Sequence, residues 1–268
     1  MRDWTPEYDA ARALWKRGVG RAHGMGAGGV GMAALLELLR ARGFSASGCD
    51  TSENRLTAWL AARGIPVAAG HDSAHADAAE WLIHTTAVPS DHPELRRARE
   101  RNIPVTPRGI ALAARMSAGH TIAVSGTHGK TTTTSLLAQI LRACGIDTSF
   151  AIGGEVAPLG GVAGAGRSGR AWLVAEADES DGTLAWYAPE VLLVNNIDFD
   201  HMEHFRDVGE FHDVFARAMR RSRGAVIYGW EDPAARRLAS SASDAIAFGF
   251  GRGAQVRAGP LRLDSGAQ

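Results

Sequence analysis

The segment that most restricts the fold runs from Thr121 to Thr132. Thr121-Ile-Ala-Val-Ser125 has the length and apolarity of a buried strand, Gly126-Thr127-His128-Gly129 follows at once, and Lys130-Thr131-Thr132 opens a helix-period stretch. A strand that turns through glycines straight into a helix aims the N–H groups of the turn and of the helix N-terminus at one point, which favours an anion there. In a P-loop of this kind the lysine reaches the β- and γ-phosphates of a nucleoside triphosphate and the following hydroxyl meets Mg2+. Gly126, Thr127, His128, Gly129, Lys130, Thr131 and Thr132 are therefore the expected ATP-binding residues. The loop is shorter than G-x-x-x-x-G-K-[ST], because Val124 stands where the first glycine would fall. The helix is expected to bury Leu136, Leu137, Ile140, Leu141 and Cys144 on one face and to stop at Gly145.

A second glycine loop lies upstream. His23-Gly-Met-Gly26-Ala-Gly28-Gly29-Val30-Gly31-Met32 contains G-x-G-x-x-G at Gly26, Gly28 and Gly31 and opens a helix over 32–42. Glycines at these places allow a tight turn and a close backbone approach to a diphosphate, and Asp50 ends the next strand, where a ribose hydroxyl would be met. Nicotinamide dinucleotides and UDP-sugars both present a diphosphate to such a helix end. The loop alone leaves these two open, along with a purely structural turn, and the residues before it, 19–23, make a poor strand.

Along the whole chain, short apolar runs at 45–49, 65–68, 81–88, 103–105, 121–125, 171–175, 191–195, 225–228 and 245–248 alternate with helix-period stretches at 32–42, 55–63, 93–101, 110–116, 208–221 and 233–241. This pattern predicts an α/β fold with mostly parallel sheets. The boundary is expected near Ala118, giving domains 1–117 and 118–268. The stretch 153–169 is dense in Gly and Ala without periodicity and reads as a mobile surface loop. After Phe250 only Val256, Leu261 and Leu263 alternate, as in a sheet begun and left incomplete.

With 29 basic against 29 acidic side chains in 268 residues, the chain has no global field for a polyanion or an acidic membrane, so no nucleic-acid and no membrane partner is expected. The two cysteines, Cys49 and Cys144, fit no disulfide framework or zinc spacing, which argues for a reducing compartment. No run approaches the roughly 20 apolar residues of a membrane span, and the first 21 residues lack a signal-peptide core. A cytoplasmic protein is the expectation.

Two further strands end in charged clusters, Glu176-Ala-Asp178-Glu179-Ser180-Asp181 and Asn195-Asn-Ile-Asp198-Phe-Asp200-His201. If these strands run parallel to Thr121–Ser125, both clusters project beside the P-loop, where a divalent metal and a reacting phosphate require them. A hard carboxylate such as Glu176 suits Mg2+. Asp181 and Asp198 are expected in a solvated loop or as helix N-caps, and His204, with no third ligand nearby, as a surface residue rather than part of a zinc site.

The four motifs, in this order and spacing, resemble the Mur ligases of peptidoglycan synthesis, from about His23 to Gly249, and resemble most the alanine-adding branch. The resemblance implies a Rossmann-like UDP-N-acetylmuramate-binding domain, a P-loop ATPase domain and a third, ligase domain. It implies a reaction in which the muramyl carboxylate takes the γ-phosphoryl of ATP and the acyl phosphate is then captured by L-alanine, with Mg2+ in attendance. Carried over by motif, Gly26, Gly28, Gly29, Val30, Gly31, Met32 and Asp50 would hold the UDP group, with His71, Thr85 and Thr86 nearby, and Thr127 and His128 would face the muramyl group. Lys130, Glu176 and His201 would be the catalytic residues, and Thr131, Glu176 and His201 the metal ligands.

The chain departs from the family pattern at Gly182-Thr183-Leu184, where Ala-Ser-Phe is usual. A sister branch that attaches a tripeptide reads Glu-Tyr-Asp where this chain has Glu179-Ser180-Asp181 and stands as the alternative, as does a non-catalytic UDP-sugar or nucleotide-binding module. The His-Asn-x-x-Asn segment and the third domain of the family do not occur in these 268 residues. The isolated chain is therefore expected to ligate little unless a separate C-terminal domain acts in trans.

Overall fold

A computed structural model describes residues 2–164, 166, 171–198 and 204–259. The first unit runs α1 (Thr5–Arg17), β1 (Gly20–Met25), α2 (Val30–Arg42), β2 (Phe44–Asp50), α3 (Arg55–Ala61), β3 (Val67–Ala69), α4 (Ala74–Ala78), β4 (Trp81–His84), α5 (Pro93–Glu100), β5 (Val105–Pro107) and α6 (Arg108–Met116). Its sheet has the order β3-β2-β1-β4-β5 with every pair parallel. The strand order reverses between β1 and β4, so a crevice opens beyond their carboxyl ends, where ligands of such sheets bind.

The second unit runs β6 (Thr121–Ser125), α7 (Lys130–Ala143), β7 (Thr148–Val156), β8 (Gly161–Gly164), β9 (Trp172–Glu176), β10 (Val191–Val194), α8 (Val208–Arg221), β11 (Val226–Gly229), α9 (Pro233–Ala239), β12 (Ala245–Gly249) and β13 (Val256–Arg257). The order is β13-β12-β11-β10-β6-β9-β7-β8, parallel except for the β7–β8 pair. The α/β class with mostly parallel sheets is as the alternating pattern predicted. Among the described residues no helix is long and apolar enough to cross a membrane.

Four local expectations are corrected. The weak strand before the first glycine loop is β1, the central strand of its sheet. Its residues are chosen for close approach rather than β-propensity: a Cβ on Gly24 would stand 2.8 Å from Met32 Sδ and 3.0 Å from Leu36 Cδ2, so α2 lies directly on the backbone. The stretch 153–169 is not a loop throughout, because β7 continues to Val156, turns through Ala157–Leu159 and returns as β8. Residues 165 and 167–170 lie outside the described set. The run at 81–88 pairs only to His84.

The fourth correction concerns α7. Its buried residues are Thr134, Ser135 and Ala138, whereas Leu136 and Ile140 are 55% and 57% exposed and Cys144 is exposed. Thr134 Oγ1 donates to Lys130 O at 2.8 Å and Ser135 Oγ to Thr131 O at 2.6 Å, so small hydroxyl side chains are buried without orphaned polar atoms. The helix packs through its small residues, and Gly145 ends it at φ +76° as expected.

The two units are joined over a broad contact. Helix α2 packs on β7 and β8 as well as on its own sheet. Arg55 Nη1 meets Glu155 Oε2 at 2.8 Å, Arg63 Nη2 donates to Gly160 O at 3.2 Å, and Gly109 leaves room for Thr183. Helix α1 adds Tyr8 against Trp186 at 5.5 Å, while its Trp15 anchors it within the first unit against Phe44 and Trp81 at 6.0 and 5.9 Å, Trp15 Nε1 donating to Ala111 O at 2.8 Å.

Gly48 on β2 is packed on from three sides: a Cβ there would meet Ala27 Cβ of the first glycine loop at 2.6 Å, Gly24 O of β1 at 2.9 Å and Leu36 Cδ1 of α2 at 3.2 Å. Gly48→Val is expected to cost about 1–3 kcal/mol through overpacking. Thermal unfolding followed by circular dichroism checks this, an unchanged midpoint being the contrary result.

Candidate functional site: two glycine loops on one cleft

The first loop is held from below by β2. Gly26 and Ala27 donate to Cys49 O at 2.9 and 3.0 Å, and Gly28 N donates to Asp50 Oδ2 at 2.8 Å. Gly26 sits at φ +83°, a conformation open to glycine, and a Cβ there would strike Thr85 Cγ2 at 2.9 Å. Thr85 and the loop are thus brought together at the β1/β4 crevice, with Thr86 exposed beside them. Asn54, unmarked in the sequence reading, caps α3 and donates to Gly28 O at 3.1 Å. No side chain caps the first turn of α2, which Gly29 and Val30 open. His71 turns its side chain away from the loop toward Cys49 Sγ and Glu94 Oε1, each 3.2 Å from its Nδ1.

The P-loop is clasped by the segment that leaves β10. Thr127 N donates to Asn196 O at 3.1 Å, and Thr127 Oγ1 exchanges hydrogen bonds with Asp198 O at 3.0 Å and Asp198 N at 2.9 Å. Asn196 grips the His128 backbone at both ends, accepting from its N–H at 2.8 Å and donating to its carbonyl at 3.2 Å. Asn195 Nδ2 adds bonds to His128 O at 3.2 Å and Thr133 Oγ1 at 3.1 Å. Gly126, at φ +125°, has room for no Cβ, since one would lie 2.9 Å from Asn196 O. These contacts hold the loop in one conformation, and they spend its Thr127 and His128 amides on Asn196.

Lys130 Nζ lies 3.0 Å from both oxygens of Glu179, 2.7 Å from Gly126 O and 3.2 Å from Thr127 O. Glu179 is 2% exposed, and burial lifts its carboxyl above the ordinary glutamate value while the ammonium opposes that rise. Glu176 ends β9 with its carboxylate accepting from Thr131 Oγ1 at 3.0 and 3.2 Å and from Gly153 N at 2.7 Å. A Cβ on Gly153 would meet Glu176 Oε2 at 2.5 Å, so this glycine of the supposed loop admits the carboxylate. Asp181 accepts from Thr183 N at 2.9 Å just ahead of the 3-10 turn Thr183–Trp186, whose N-cap position is Gly182. His204 is exposed. His201 lies outside the described residues.

Both loops face one cavity of about 340 Å³, lined by Gly29 to Met32 from one side and by Lys130, Gly153 and Glu176 from the other. Between them stands Arg108, which sequence reasoning passed over. A Cβ on Gly31 would meet its Nη1 at 2.8 Å. Arg108 is the first residue of α6, where a cation opposes the helix dipole. A basic residue just after Pro107 at a helix start was the available signal.

Comparison with known proteins accords with this geometry. Residues 21–120 match the model described as Mur ligase family, catalytic domain, and residues 124–268 match the Mur ligase middle domain. The chain belongs to the Mur ligase family. Among its curated relatives, the UDP-N-acetylmuramate–L-alanine ligase of Methylibium petroleiphilum is 41% identical over 247 residues, covering 91% of this chain and 52% of the relative. That of Acidothermus cellulolyticus is 40% identical over 252 residues, 92% and 52%. The chain thus spans about half the length of the curated relatives it matches. The crystal structure of UDP-N-acetylmuramate–alanine ligase from Thermotoga maritima superposes with a TM-score of 0.76 at 27% identity, over 85% of this chain and 52% of that one. UDP-N-acetylmuramate:L-alanyl-gamma-D-glutamyl-meso-diaminopimelate ligase from Neisseria meningitides gives 0.77 at 26%, over 86% and 78%.

In this Mur ligase chain the P-loop depends on Asn196. Asn196→Ala removes two hydrogen bonds to His128 and is expected to cost about 1–2 kcal/mol. Urea unfolding reads the loss, and amide exchange across 126–130 should accelerate; unchanged exchange there would show that the clasp is dispensable.

Proposed function

We propose that this chain carries the UDP-sugar- and ATP-binding domains, 1–117 and 118–268, of a ligase joining L-alanine to the carboxylate of UDP-N-acetylmuramate at the expense of ATP. The observation that supports it is the single cleft onto which both glycine loops open, with Arg108, Lys130 and Glu176 between them. A nicotinamide enzyme would leave the P-loop and its lysine without work.

In this reading the amides of Val30 to Met32, at the N-terminus of α2, hold the diphosphate, with Asp50 and Thr85 beside them. The amides from Gly129 into the first turn of α7, together with Lys130, hold the β- and γ-phosphates. A muramyl carboxylate oxygen attacks the γ-phosphorus, the bridging oxygen leaves with ADP, and the amine of L-alanine then attacks the acyl carbon and expels phosphate. Lys130 offsets charge on the transferring phosphoryl, and the buried Glu179 keeps its ammonium aimed at the loop. Arg108 stands where it can pair with an anionic group of the sugar nucleotide.

The donor set fits Mg2+. Thr131 Oγ1 and Glu176 lie 3.0–3.2 Å apart, and neighbouring ligands of an octahedral ion with bonds of about 2.1 Å stand roughly 3 Å apart. When bound, such an ion would neutralise the β- and γ-oxygens. A second metal at His201 is proposed from the family resemblance alone. The two solved ligases resemble this fold equally, so the preference for L-alanine over a preformed tripeptide rests on curated relatives about 40% identical.

Calorimetry with this chain tests the binding half. UDP-N-acetylmuramate is expected to bind, and Arg108→Ala to weaken it by about 10–150-fold, the worth of a charged hydrogen bond. NADH binding in its place would overturn the assignment. ADP release in the presence of the C-terminal portion of an alanine ligase tests turnover. It should depend on L-alanine rather than the tripeptide and fall about 10²–10³-fold in Lys130→Ala. Binding with no substrate-stimulated ADP release would leave only the non-catalytic module.

A further inference from the structure

Away from the cleft, the first sheet contains a group of side chains that the proposed ligation does not use. Alternation along β1 and β2 sends Gly24 and Gly48 to the α2 side and Met25 and Cys49 to the opposite side, where they pack with Ala76 of α4 and Leu95 and Ala98 of α5. His23 shares the Met25 side. One ligand atom from each of His23, Cys49, His75 and Glu94 lies within 4.8 Å of all the others. These residues come from β1, β2, α4 and α5, so only the fold assembles them.

The chemistry of the group is that of a closed metal centre. Glu94 is fully buried, and its Oε1 accepts from Asp72 N at 2.9 Å and stands 3.3 Å from His75 Nδ1. Cys49 Sγ is 3.6 Å from each Glu94 oxygen. His23, 4% exposed, spends Nδ1 on Ser47 Oγ at 2.9 Å. That bond leaves Nε2 facing Glu94 Oε2 at 4.0 Å, and it is a buried nitrogen with no hydrogen-bond partner. Buried polar atoms of this kind are costly unless satisfied. A histidine oriented through one nitrogen with the other bare is the arrangement of a metal ligand and its supporting contact.

We propose that His23 Nε2, Cys49 Sγ, His75 Nδ1 and a Glu94 oxygen bind one divalent cation of borderline softness, for which Zn2+ is the best match. Two imidazoles, a thiolate and a carboxylate are all zinc ligands, and four protein donors without an open position mark a structural rather than a catalytic site. With bonds of about 2.0–2.3 Å, tetrahedral ligands stand roughly 3.3–3.8 Å apart, so the donors close on the ion by movements of about 1 Å. His75 can supply much of that movement, being on the five-residue α4 and partly exposed, and its side also gives the ion a way in. His71, 3.2 Å from both Cys49 Sγ and Glu94 Oε1, is placed to support the thiolate.

Protonation is consistent with this. Burial and the neighbouring imidazoles hold His23 down at about 4, so its ring is neutral and its lone pair available. Burial and the Glu94 carboxylate push the Cys49 thiol well up, so metal binding replaces the thiol proton and releases it to solvent. Cys49 is also the residue whose carbonyl receives the Gly26 and Ala27 amides. The ion would therefore brace the strand end beneath the first glycine loop.

The test is titration of the purified 268-residue chain with Co2+, followed by displacement with Zn2+. One Co2+ per chain is expected, with a thiolate-to-cobalt charge-transfer band and tetrahedral d–d bands that one equivalent of Zn2+ abolishes. Cys49→Ser should lose the charge-transfer band, and His75→Ala should weaken Zn2+ binding at least tenfold. Cys144→Ser, which alters the exposed cysteine, should leave both unchanged. Zn2+ should also raise the thermal midpoint of the unsubstituted chain, a reading that stands even if a variant misfolds. No tetrahedral cobalt spectrum in the unsubstituted chain, or a band lost in Cys144→Ser and kept in Cys49→Ser, would overturn the proposal and leave a buried hydrogen-bond network.

Discussion

The parallel pairing of β6 with β9 and β10 is the constraint on which the phosphate end of the site depends. Val124 is in register with Glu176 and Ser125 with Val194, so the strand that delivers the P-loop is flanked at its carboxyl end by a carboxylate and by the Asn195–Asn196 clasp. A register slip of one residue on β9 would turn Glu176 to the other face of the sheet and take it from Thr131. Backbone hydrogen bonds thereby convert three segments distant in sequence into one fixed set of donors and acceptors. Lys130 belongs to the same set through Glu179, three residues after β9 ends.

The second dependence is on closeness. The two sheets meet through α2, whose N-terminus faces the cleft and whose flank packs on β7 and β8. Glycines at 24, 48, 109, 153 and 161 stand where a Cβ would collide with a neighbour, and each lets a helix, a carboxylate or an indole approach the backbone. Much of the glycine content of the chain is therefore a packing device. It brings Arg108 of α6 and Glu176 of β9, from different units, to one cavity.

Much of this was legible in the sequence. The strand–glycine–helix order of both loops, the α/β alternation and the neighbourhood of the two acidic clusters follow from periodicity and the rules for parallel sheets. What was missed shares a cause. The sequence of β1 is poor in bulky and β-branched residues, the 153–169 stretch is rich in Gly and Ala, and the bulky Leu136 and Ile140 of α7 lie on its exposed side, so bulk and β-branching do not mark the packed positions in these three segments. Small residues pack too, wherever a neighbour comes near enough to touch the backbone. Arg108 and Asn54 escaped notice because each acts across a gap that only the folded chain closes.

By itself the sequence determined the local units: which strands end in anion-binding turns, which helices those turns open, and which residues carry the charge and hydroxyls for phosphate chemistry. These follow from short-range geometry, where spacing along the chain is spacing in space. The tertiary structure decided the rest. It set both loops on one cleft, gave Lys130 a buried partner in Glu179, and drew His23, Cys49, His75 and Glu94 into one pocket from four elements. Contacts of that kind depend on strand order and on how closely backbones approach, and neither is written in any single stretch of the chain.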